Sequence, residues 1–586
     1  MLFPFRPAGL IRQGPWEGDC SANCRVAAKI RCISARKPLF LPFEPSDVGS
    51  VAVKSKSPDQ KGVVENQRAG EESIFWKQQS LTGIVPMKKS FGLISILIGW
   101  LCACTTTRDE FNPHKSFPPD QLQQDYQIFR GALEQSHPSL YWYTSKDSMD
   151  HYFDQGLSRM KDSMTETQFR AVLSYVVAKI NCGHTAIKYS KNFMKYLDTS
   201  RLQTFPLGLK FWQDTMVVTI NLNRQDSVLR RGTVLTAIEG QTPKQLRDSL
   251  FQFLVTDGTS LSGKYQTLST GFTFANWYKY AYGLPQTITL DYLDSLGNQQ
   301  QTSIAPYDFK NDTMRRLVFP IPRKPGEKRR RPPQGAFVSE SHMQLDTASA
   351  TGFMVLNTFD KGNHLKKFIR SSFKTMDQNN TRHLVIDVRS NGGGEAGNST
   401  LLTRYLIDHK FKLADSLYAI SRGSQYDRYV GKSFMYNVLM RLITHKESDG
   451  KYHFGYFERH YFHPKQSHHF NGDSYILIGG NSFSATTLFA GALKGQQNVT
   501  LVGEETGGGY YGNSAWIIEE LTLPNTQVRF LLPKFRLVVD RNRQKDGHGV
   551  LPDVWSAPTV EAIRKGVDFK TNKARELISK KAVQTK

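Results

Sequence analysis

The stretch DSYILIGGNSFSATTLFAGAL, residues 473–493, decides the fold of the largest part of this chain. Residues 474–479 are mostly apolar or β-branched and end in glycine, which predicts a short buried strand. From Ala485 onward, apolar residues recur at the spacing of one helix face. Ser484 therefore lies at a strand-to-helix junction, where free helix-start amides can stabilise an oxyanion. The alternative is an N-cap serine, whose hydroxyl accepts a hydrogen bond from the helix backbone.

Size and composition limit the possible classes of protein. The chain has 586 residues, which exceeds one domain, and 39% of them are hydrophobic, which is enough for real cores. The formal net charge is +24, but the densest basic run, RKPGEKRRRPP at 323–333, contains prolines and a glycine. This run predicts a solvated loop, with a patch for nucleic acid or an anionic surface as the alternative. We expect no nucleic-acid partner.

The potential metal-ligating residues show no recognisable pattern. The chain has six cysteines, and none of their spacings fits a metal site or a disulfide scaffold. The histidines between residues 410 and 470 are numerous but irregularly spaced. We therefore expect neither a metal nor any other cofactor.

Residues 87–104, MKKSFGLISILIGWLCAC, have the order of a secretion signal: a methionine, two lysines, an apolar run and small residues. The apolar run is too short to span a bilayer comfortably. Its end resembles the lipobox of bacterial lipoproteins, which implies that Cys104 is lipidated. Because such a signal belongs at the start of a chain, we predict that translation starts at Met87 and that residues 1–86 are not native. The alternative is a buried apolar helix behind a long basic leader.

A lipid on Cys104 would attach the protein to a membrane, with residues 105–117 as a short flexible tether. The resemblance to bacterial lipoproteins implies the cell envelope of a Gram-negative-type bacterium. Thr105, directly after the cysteine, favours the outer membrane by resemblance to known sorting rules. The membrane face remains open.

Residues 118–200 are predicted to form a helical N-terminal unit. Apolar residues repeat at helical spacing in 122–133 and again in 169–177, and the sequence at 165–168 fits a helix start. His184 follows the second run after a glycine. By itself this histidine is either a structural hydrogen-bonding residue or a catalytic one.

Residues 201–305 alternate apolar and polar positions in the order strand, strand, strand, helix. This order resembles a PDZ domain. The resemblance implies that Leu207, Gly208 and Leu209 belong to a loop whose amides bind the terminal carboxylate of a peptide. The alternative is a β-rich spacer without a ligand. Residues 306–350, which include the basic run, are predicted to be an exposed linker.

Residues 351–575 alternate apolar strands with helices, which indicates an α/β sheet with crossover connections. Together with the preceding units, the predicted fold class is an α/β plus β multidomain protein. Four motifs follow one another between residues 387 and 553 of the chain: DVRSNGGG at 387–394, the Ser484 segment, VGEET at 502–506 and GHGVLPD at 547–553.

The four motifs in this order resemble the S41 serine peptidases, the family of carboxy-terminal processing and tricorn-type proteases. The resemblance covers most of residues 118–575 and implies a crotonase-like ββα catalytic domain. One catalytic design of this family pairs the serine with a lysine. Here Gly509 occupies the place of that lysine, and Lys494 lies ten residues after Ser484, one helix later. The lysine dyad is therefore absent.

The tricorn-type design takes a histidine from the upstream helical unit and an acid from just before the Gly-x-x-Pro-Asp motif. By this resemblance Ser484 is the nucleophile, His184 the general base and Asp546 the acid that orients the base. A serine hydroxyl needs such a base, because it is a poor nucleophile until a neutral imidazole accepts its proton. His548 is a rival imidazole.

The implied oxyanion donors are the amide of Ala485 and an amide of Gly393 or Gly394, where glycine permits close backbone approach. The Gly-x-Ser-x-Gly elbow of α/β-hydrolases is missing. We therefore predict a secreted, lipid-anchored serine peptidase that hydrolyses proteins or peptides through an acyl-enzyme. The alternative is a catalytically inactive, peptide-binding lipoprotein of the same family. Substrate, cleavage specificity and oligomeric state stay open.

Overall fold

A computed structural model of the chain describes residues 111–200, 202–311, 341–362 and 364–584. The leader, the signal with Cys104, residues 105–110 of the tether and the basic run at 323–333 lie outside these residues, so what the sequence predicts for them stays a prediction. None of the described helices is both long and apolar enough to span a bilayer.

The N-terminal part of the described chain is mostly helical. Its elements are β1 (Ser116–Phe117), α1 (Pro119–Ser136), α2 (Lys146–Ser158), β2 (Met164–Thr165), α3 (Glu166–Ile180), β3 (Ile187–Lys188) and α4 (Lys191–Thr199). The apolar runs at 122–133 and 169–177 lie within α1 and α3. Thr165 and Gln168 form the capping box that the sequence indicates: each side chain accepts a hydrogen bond from the other residue's amide.

The next part is a five-stranded antiparallel sheet with three helices inserted in it. The strands are β4 (Leu207–Trp212), β5 (Thr215–Asn221), β6 (Val234–Ile238), β7 (Ile288–Leu293) and β8 (Gln299–Ile304), paired in that order. The helices α5 (Pro243–Phe251), α6 (Leu261–Leu268) and α7 (Thr273–Tyr282) lie between β6 and β7. The predicted order of three strands and a helix is therefore present.

The predicted carboxylate-binding loop is not a loop. Leu207, Gly208 and Leu209 lie in strand β4, paired with β5 across a bulge, and the two leucine side chains are buried. Strand β4 is at the end of its sheet, but the Phe211 amide on it donates to Ser269 Oγ at 2.9 Å. One amide of this edge is thus occupied by the chain itself. Binding of a peptide here, and the PDZ resemblance, stay predictions.

The central sheet of the last part is almost entirely parallel. Its strands are β9 (Ser341–Asp346), β10 (Thr351–Leu356), β11 (His383–Asp387), β15 (Asp473–Ile478), β16 (Val499–Gly503) and β19 (Val554–Trp555), in the order β19-β16-β15-β11-β10-β9. Only β9 is antiparallel to its neighbour. Residues 341–346 were expected to belong to the linker, and the structure corrects this: pairing with β10 makes them an edge strand.

The helices α8 (Leu365–Gln378), α9 (Ala396–Arg404) and α12 (Ala485–Leu493) lie between parallel strands of this sheet in sequence, as crossover connections do. Two more helices, α13 (Val560–Lys565) and α14 (Phe569–Gln584), follow its last strand. The strand and helix predicted on either side of Ser484 are β15 and α12. Their apolar residues, such as Ile476 and Phe489, are fully buried in one core with Ile386 of β11.

A second sheet connects the N-terminal helical part to the last part of the chain. Its strands are β12 (Ser416–Ala419), β13 (His445–Lys446), β14 (Tyr452–His453), β17 (Gly512–Thr522) and β18 (Arg529–Val538), with the helices α10 (Ser433–Ile443) and α11 (Gly455–Arg459) nearby in sequence. The short strand β3 pairs with β18, through Ile187 with Phe530. This pairing holds the segment directly after His184 against the part of the chain that carries Ser484.

The hydrophobic cores cross the predicted domain boundaries. One cluster of buried residues includes the N-terminal helices, the β4–β8 sheet and the β17–β18 hairpin. Within it, the Phe129 and Phe530 rings meet edge to face with centroids 5.2 Å apart. Because burying a phenylalanine contributes roughly 2–3 kcal/mol, this shared core fixes the N-terminal helices against the hairpin.

Candidate active site

Ser484 sits between the end of β15 and the first residue of α12 in a backbone conformation that few residues adopt. Its φ is 57° and its ψ is −120°. A non-glycine residue with positive φ costs free energy and is retained where the surrounding structure enforces it, often at functional sites. The Ser484 hydroxyl makes no capping hydrogen bond to the helix. The N-cap alternative is therefore wrong, and the hydroxyl is free for another partner.

That partner is His184. The Nε2 atom of His184 lies 3.0 Å from Ser484 Oγ. The Phe483 ring packs on the imidazole, with centroids 4.5 Å apart and planes tilted by 33°. Gly183 makes room for this ring, because a Cβ at that position would lie 2.6 Å from a Phe483 ring carbon. The structure thus brings the predicted nucleophile and the predicted base within hydrogen-bond distance.

The carboxylate beside His184 belongs to Asp257, in the loop between α5 and α6. Its Oδ1 atom lies 3.9 Å from His184 Nδ1, and it accepts a hydrogen bond of 2.8 Å from the Gly183 amide. Its Oδ2 accepts a longer one, 3.4 Å, from the Gly509 amide. His184 Nδ1 has no hydrogen-bond partner among the described residues. Asp257 is therefore the carboxylate that lies beside the imidazole, at a distance longer than a hydrogen bond.

Asp546, the acid implied by resemblance, lies elsewhere. Its side chain is exposed, and Oδ1 accepts a hydrogen bond from the His548 amide in the same turn. It makes no ion pair with His184. The rival His548 has a different partner: its Nδ1 lies 3.1 Å from Glu505 Oε1, and half of its side chain is exposed. The structure thus places Asp257, and not the predicted Asp546, beside His184, because the loop between α5 and α6 packs against the segment that carries this histidine.

Burial sets the charge state of the pair. It lowers the pKa of His184 below its ordinary 6.5, while the Asp257 carboxylate opposes that shift. Burial likewise raises the pKa of Asp257, and His184, the Gly183 amide and the buried Arg536 oppose it. At neutral pH the imidazole is therefore neutral, which is the form that accepts a proton from a serine hydroxyl.

The backbone amides of Ala485 and Gly394 have no hydrogen-bond partner among the described residues, and both residues line the same cavity as Ser484. The Gly393 amide is not available, because it donates to Asn391 Oδ1 at 3.0 Å. Gly393 instead provides space, since a Cβ there would lie 2.7 Å from Ser484 Cβ. Of the three residues implied as oxyanion donors, Ala485 and Gly394 thus have amides that are free among the described residues, whereas the amide of Gly393 is engaged.

The place of the family's lysine is used differently here. Gly509 donates its amide to Asp257 rather than offering a side chain, and its turn packs behind the serine. A Cβ on the neighbouring Gly508 would lie 3.1 Å from the Ser484 amide nitrogen. Lys494 forms a 2.8 Å ion pair with Asp553. Neither Gly509 nor Lys494 therefore supplies a base at Ser484.

Ser484 and His184 open into a cavity of about 550 Å³. Its apolar wall includes Phe457, Leu488 and Trp516, and the Phe457 and Trp516 rings meet edge to face at 4.7 Å. Trp516 has a φ of 78° and occupies a bulge where β17 and β18 shift register. Bulges re-aim side chains next to active sites, which accounts for a tryptophan in this strained conformation at the cavity wall.

Two groups of described residues bring three potential metal-ligating atoms within 4.8 Å of one another. The first is Cys182, His184 and Asp257, but burial raises the pKa of the Cys182 thiol to about 11, and a protonated thiol is a poor ligand. The second contains His453, whose Nδ1 and Nε2 already lie 2.8 Å from Glu458 and 3.2 Å from an Asp449 oxygen. Neither group assigns a metal to this protein.

Asp257 is the functional residue that the sequence analysis missed. The local signal is weak: an Asp-Gly pair in a loop, with Gly258 at a φ of +65°. A Cβ at Gly258 would lie 2.1 Å from the Gly547 carbonyl oxygen, so the loops holding Asp257 and Asp546 are in direct contact. The acid predicted from the sequence therefore lies in a loop that contacts the loop of Asp257.

Comparison with known proteins supplies independent information. Residues 350–556 match the profile of peptidase family S41. Comparison with curated protein sequences gave no match. Among solved structures, mature CPAF is similar to this chain over 78% of it and 96% of CPAF, with 14% identity and a TM-score of 0.54.

Two further structures have comparable coverage. Mature CPAF complexed with lactacystin matches 78% of this chain and 98% of its own, with 14% identity and a TM-score of 0.51. The match to the photosystem II D1 C-terminal processing protease covers 77% of this chain and 98% of that protease, with 14% identity and a TM-score of 0.36. At these identities the likeness to CPAF shows a shared fold and nothing more.

The matched segment contains Ser484 and both candidate oxyanion donors, whereas His184 and Asp257 lie before it. All four motifs of the sequence lie within the matched residues. The segment of residues 350–556 thus matches peptidase family S41.

Proposed function

We propose that this protein is a serine peptidase with Ser484 as nucleophile, His184 as general base and Asp257 as the acid that orients the base. The observation that carries the proposal is the 3.0 Å approach of Ser484 Oγ to His184 Nε2. A neutral, buried imidazole at that distance can accept the hydroxyl proton as the oxygen attacks. The match to peptidase family S41 supports a protein or peptide as the substrate.

In the proposed reaction, Ser484 Oγ forms a bond to the scissile carbonyl carbon while its proton passes to His184 Nε2. The carbonyl oxygen becomes an oxyanion that accepts hydrogen bonds from the Ala485 and Gly394 amides. The imidazolium then gives its proton to the leaving amine, and the C–N bond breaks to leave an acyl-serine. A water molecule, deprotonated by His184, attacks this ester, and the acid product leaves with Ser484 restored.

Asp257 acts on the imidazolium that forms during this cycle. Protonated His184 carries an N–H at Nδ1, an atom that has no hydrogen-bond partner within the described part of the chain and lies 3.9 Å from Asp257 Oδ1. Catalytic hydrogen bonds are often long in the free enzyme and shorten when substrate binds. A positive charge on the imidazole attracts the carboxylate, so this contact should shorten as the proton arrives.

The labelling experiment that tests the proposal uses a fluorophosphonate, which reacts only with an activated serine. Purified wild-type protein should be labelled, and Ser484→Ala and His184→Ala should abolish the labelling. His548→Ala is the matched control, because that histidine is exposed and paired with Glu505. A folded wild-type protein that is not labelled would favour the alternative, a peptide-binding protein without activity.

We also propose that the protein is secreted and held in the cell envelope by a lipid on Cys104. The support is the signal sequence at 87–104. Growth with a radiolabelled or alkyne-tagged fatty acid should label the native protein, and Cys104→Ser should abolish the label. A native protein whose first residue lies before Met87 would contradict this proposal.

A further inference from the structure

The cavity beside Ser484 has an unequal distribution of charge. Three cationic side chains line it, those of Lys366, Arg370 and Arg404, against one acidic residue, Glu395. The Glu395 carboxylate is already engaged, because Lys361 Nζ lies 3.0 Å from it. The net charge of the side chains that line this cavity is therefore positive.

The two cations on helix α8 are one turn apart and share a face. Lys366 and Arg370 are exposed, and no carboxylate of the described residues forms an ion pair with either of them. Spacing of four residues places both side chains toward the same neighbour. On this helix, Lys367 is equally exposed but does not line the cavity.

The third cation is fixed by the chain. Arg404 Nε donates to the carbonyl oxygen of His463 at 2.7 Å, which orients the guanidinium and leaves its other N–H groups for a ligand. A guanidinium held in this way can form a bidentate pair with a carboxylate and loses little side-chain entropy on doing so. The three cations thus differ in exposure to solvent: Arg404 is half-buried, whereas Lys366 and Arg370 are exposed.

We propose that this cavity binds a substrate carboxylate through Lys366, Arg370 and Arg404, next to a bulky apolar side chain that packs against Phe457 and Trp516. This inference rests on the proposed peptidase function of the same site. A peptide offers a carboxylate either at its C-terminus or on an aspartate or glutamate side chain, and both share the chemistry that the three cations recognise.

The test measures binding without turnover, using Ser484→Ala protein and four fluorescent peptides of one sequence with a phenylalanine near the cleavage position. The peptides combine a free or amidated C-terminus with a glutamate or glutamine beside the phenylalanine. We expect one carboxylate source to improve affinity by about tenfold over its neutral counterpart, the effect of a hydrogen-bonded charge pair.

Removal of the cations should remove that advantage. In Ser484→Ala protein that also carries Lys366→Gln and Arg370→Gln, affinity for the favoured carboxylate should approach that for the neutral peptide, while Lys367→Gln should preserve the difference. The advantage should also shrink as salt rises from 50 to about 500 mM, because exposed charges are screened within about 8 Å already at physiological ionic strength.

The outcomes separate this inference from the proposed function. Loss on amidation identifies the C-terminus as the source, and loss on glutamate-to-glutamine exchange identifies the side chain. Equal affinity for all four peptides, or no binding of any, overturns the carboxylate site even if wild-type protein is labelled by the fluorophosphonate. Selective binding together with an unlabelled wild-type protein would keep the site and overturn the peptidase proposal.

Discussion

The Oγ atom of Ser484 lies 3.0 Å from Nε2 of His184, although the two residues are 300 positions apart in the chain. The contact depends on two local structures that hold the partners. Ser484 is held in a strained conformation at the start of a buried helix. His184 precedes a short strand that pairs with β18. The geometry of the site therefore follows from the packing of separate parts of the chain.

The first prediction concerns the acid. Asp257→Asn should lower kcat by roughly 10²-fold or more with little change in KM, because the neutral amide cannot stabilise the imidazolium. Asp546→Asn is the control, and its kcat should stay within about twofold of wild type, since the exposed Asp546 does not contact His184. Steady-state kinetics on a fluorogenic peptide measures both. The reverse ranking would restore Asp546 as the acid.

The second prediction concerns backbone strain at the nucleophile. Ser484→Ala and Ser484→Gly should both be inactive, but the glycine variant should have the larger free energy of unfolding by about 1 kcal/mol. Glycine tolerates a φ of 57° with a ψ of −120°, and the relieved strain exceeds the entropy that glycine adds to the unfolded chain. Urea unfolding of the two variants measures the difference. Equal stabilities would mean that this conformation carries little strain.

The third prediction concerns the glycine behind the serine. Gly393→Ala should lower kcat by at least about 100-fold, because its Cβ would lie 2.7 Å from Ser484 Cβ and displace the nucleophile. It should also destabilise the fold by roughly 1–3 kcal/mol, since its φ is +105°. Gly431→Ala, where a Cβ meets open space, should change stability by less than about 0.5 kcal/mol. A fully active Gly393→Ala protein would show that the site can relax.

The fourth prediction concerns pH. Because burial lowers the pKa of His184, kcat/KM should rise with pH through a value below 6.5 and then level off. For stability, the unfolded chain binds a proton at pH values where folded His184 does not. The contribution of His184 is therefore fully present above pH 6.5 and is lost as pH falls toward its folded pKa.

This dependence can be isolated by difference. The free energy of unfolding of wild type should fall more steeply than that of His184→Gln between pH 6.5 and the folded pKa, since other titrating groups are common to both proteins. Urea unfolding at a series of pH values gives the two curves. Parallel curves would mean that His184 has an ordinary pKa in the folded protein.

Particular residues show which elements of the fold the sequence predicts and which it does not. The strand and helix on either side of Ser484 follow from local hydrophobic periodicity, which does not require knowledge of the rest of the chain. The capping box at Thr165 is similarly local. In contrast, β9 was expected to be part of the linker, because a short polar edge strand forms only by pairing with its neighbour. Residues 207–209 were expected to form a loop, because a short, degenerate match to a motif carries little information.

The sequence by itself determined that a serine would be presented at a strand-to-helix junction, because periodicity and turn chemistry act between near neighbours. Only the tertiary structure decided which acid stands beside His184. Asp257 and Asp546 lie in loops that touch each other through Gly258 and Gly547, and which carboxylate reaches the imidazole depends on how these loops pack. That packing is set by the shared core and by pairing of distant strands, and no local pattern encodes it.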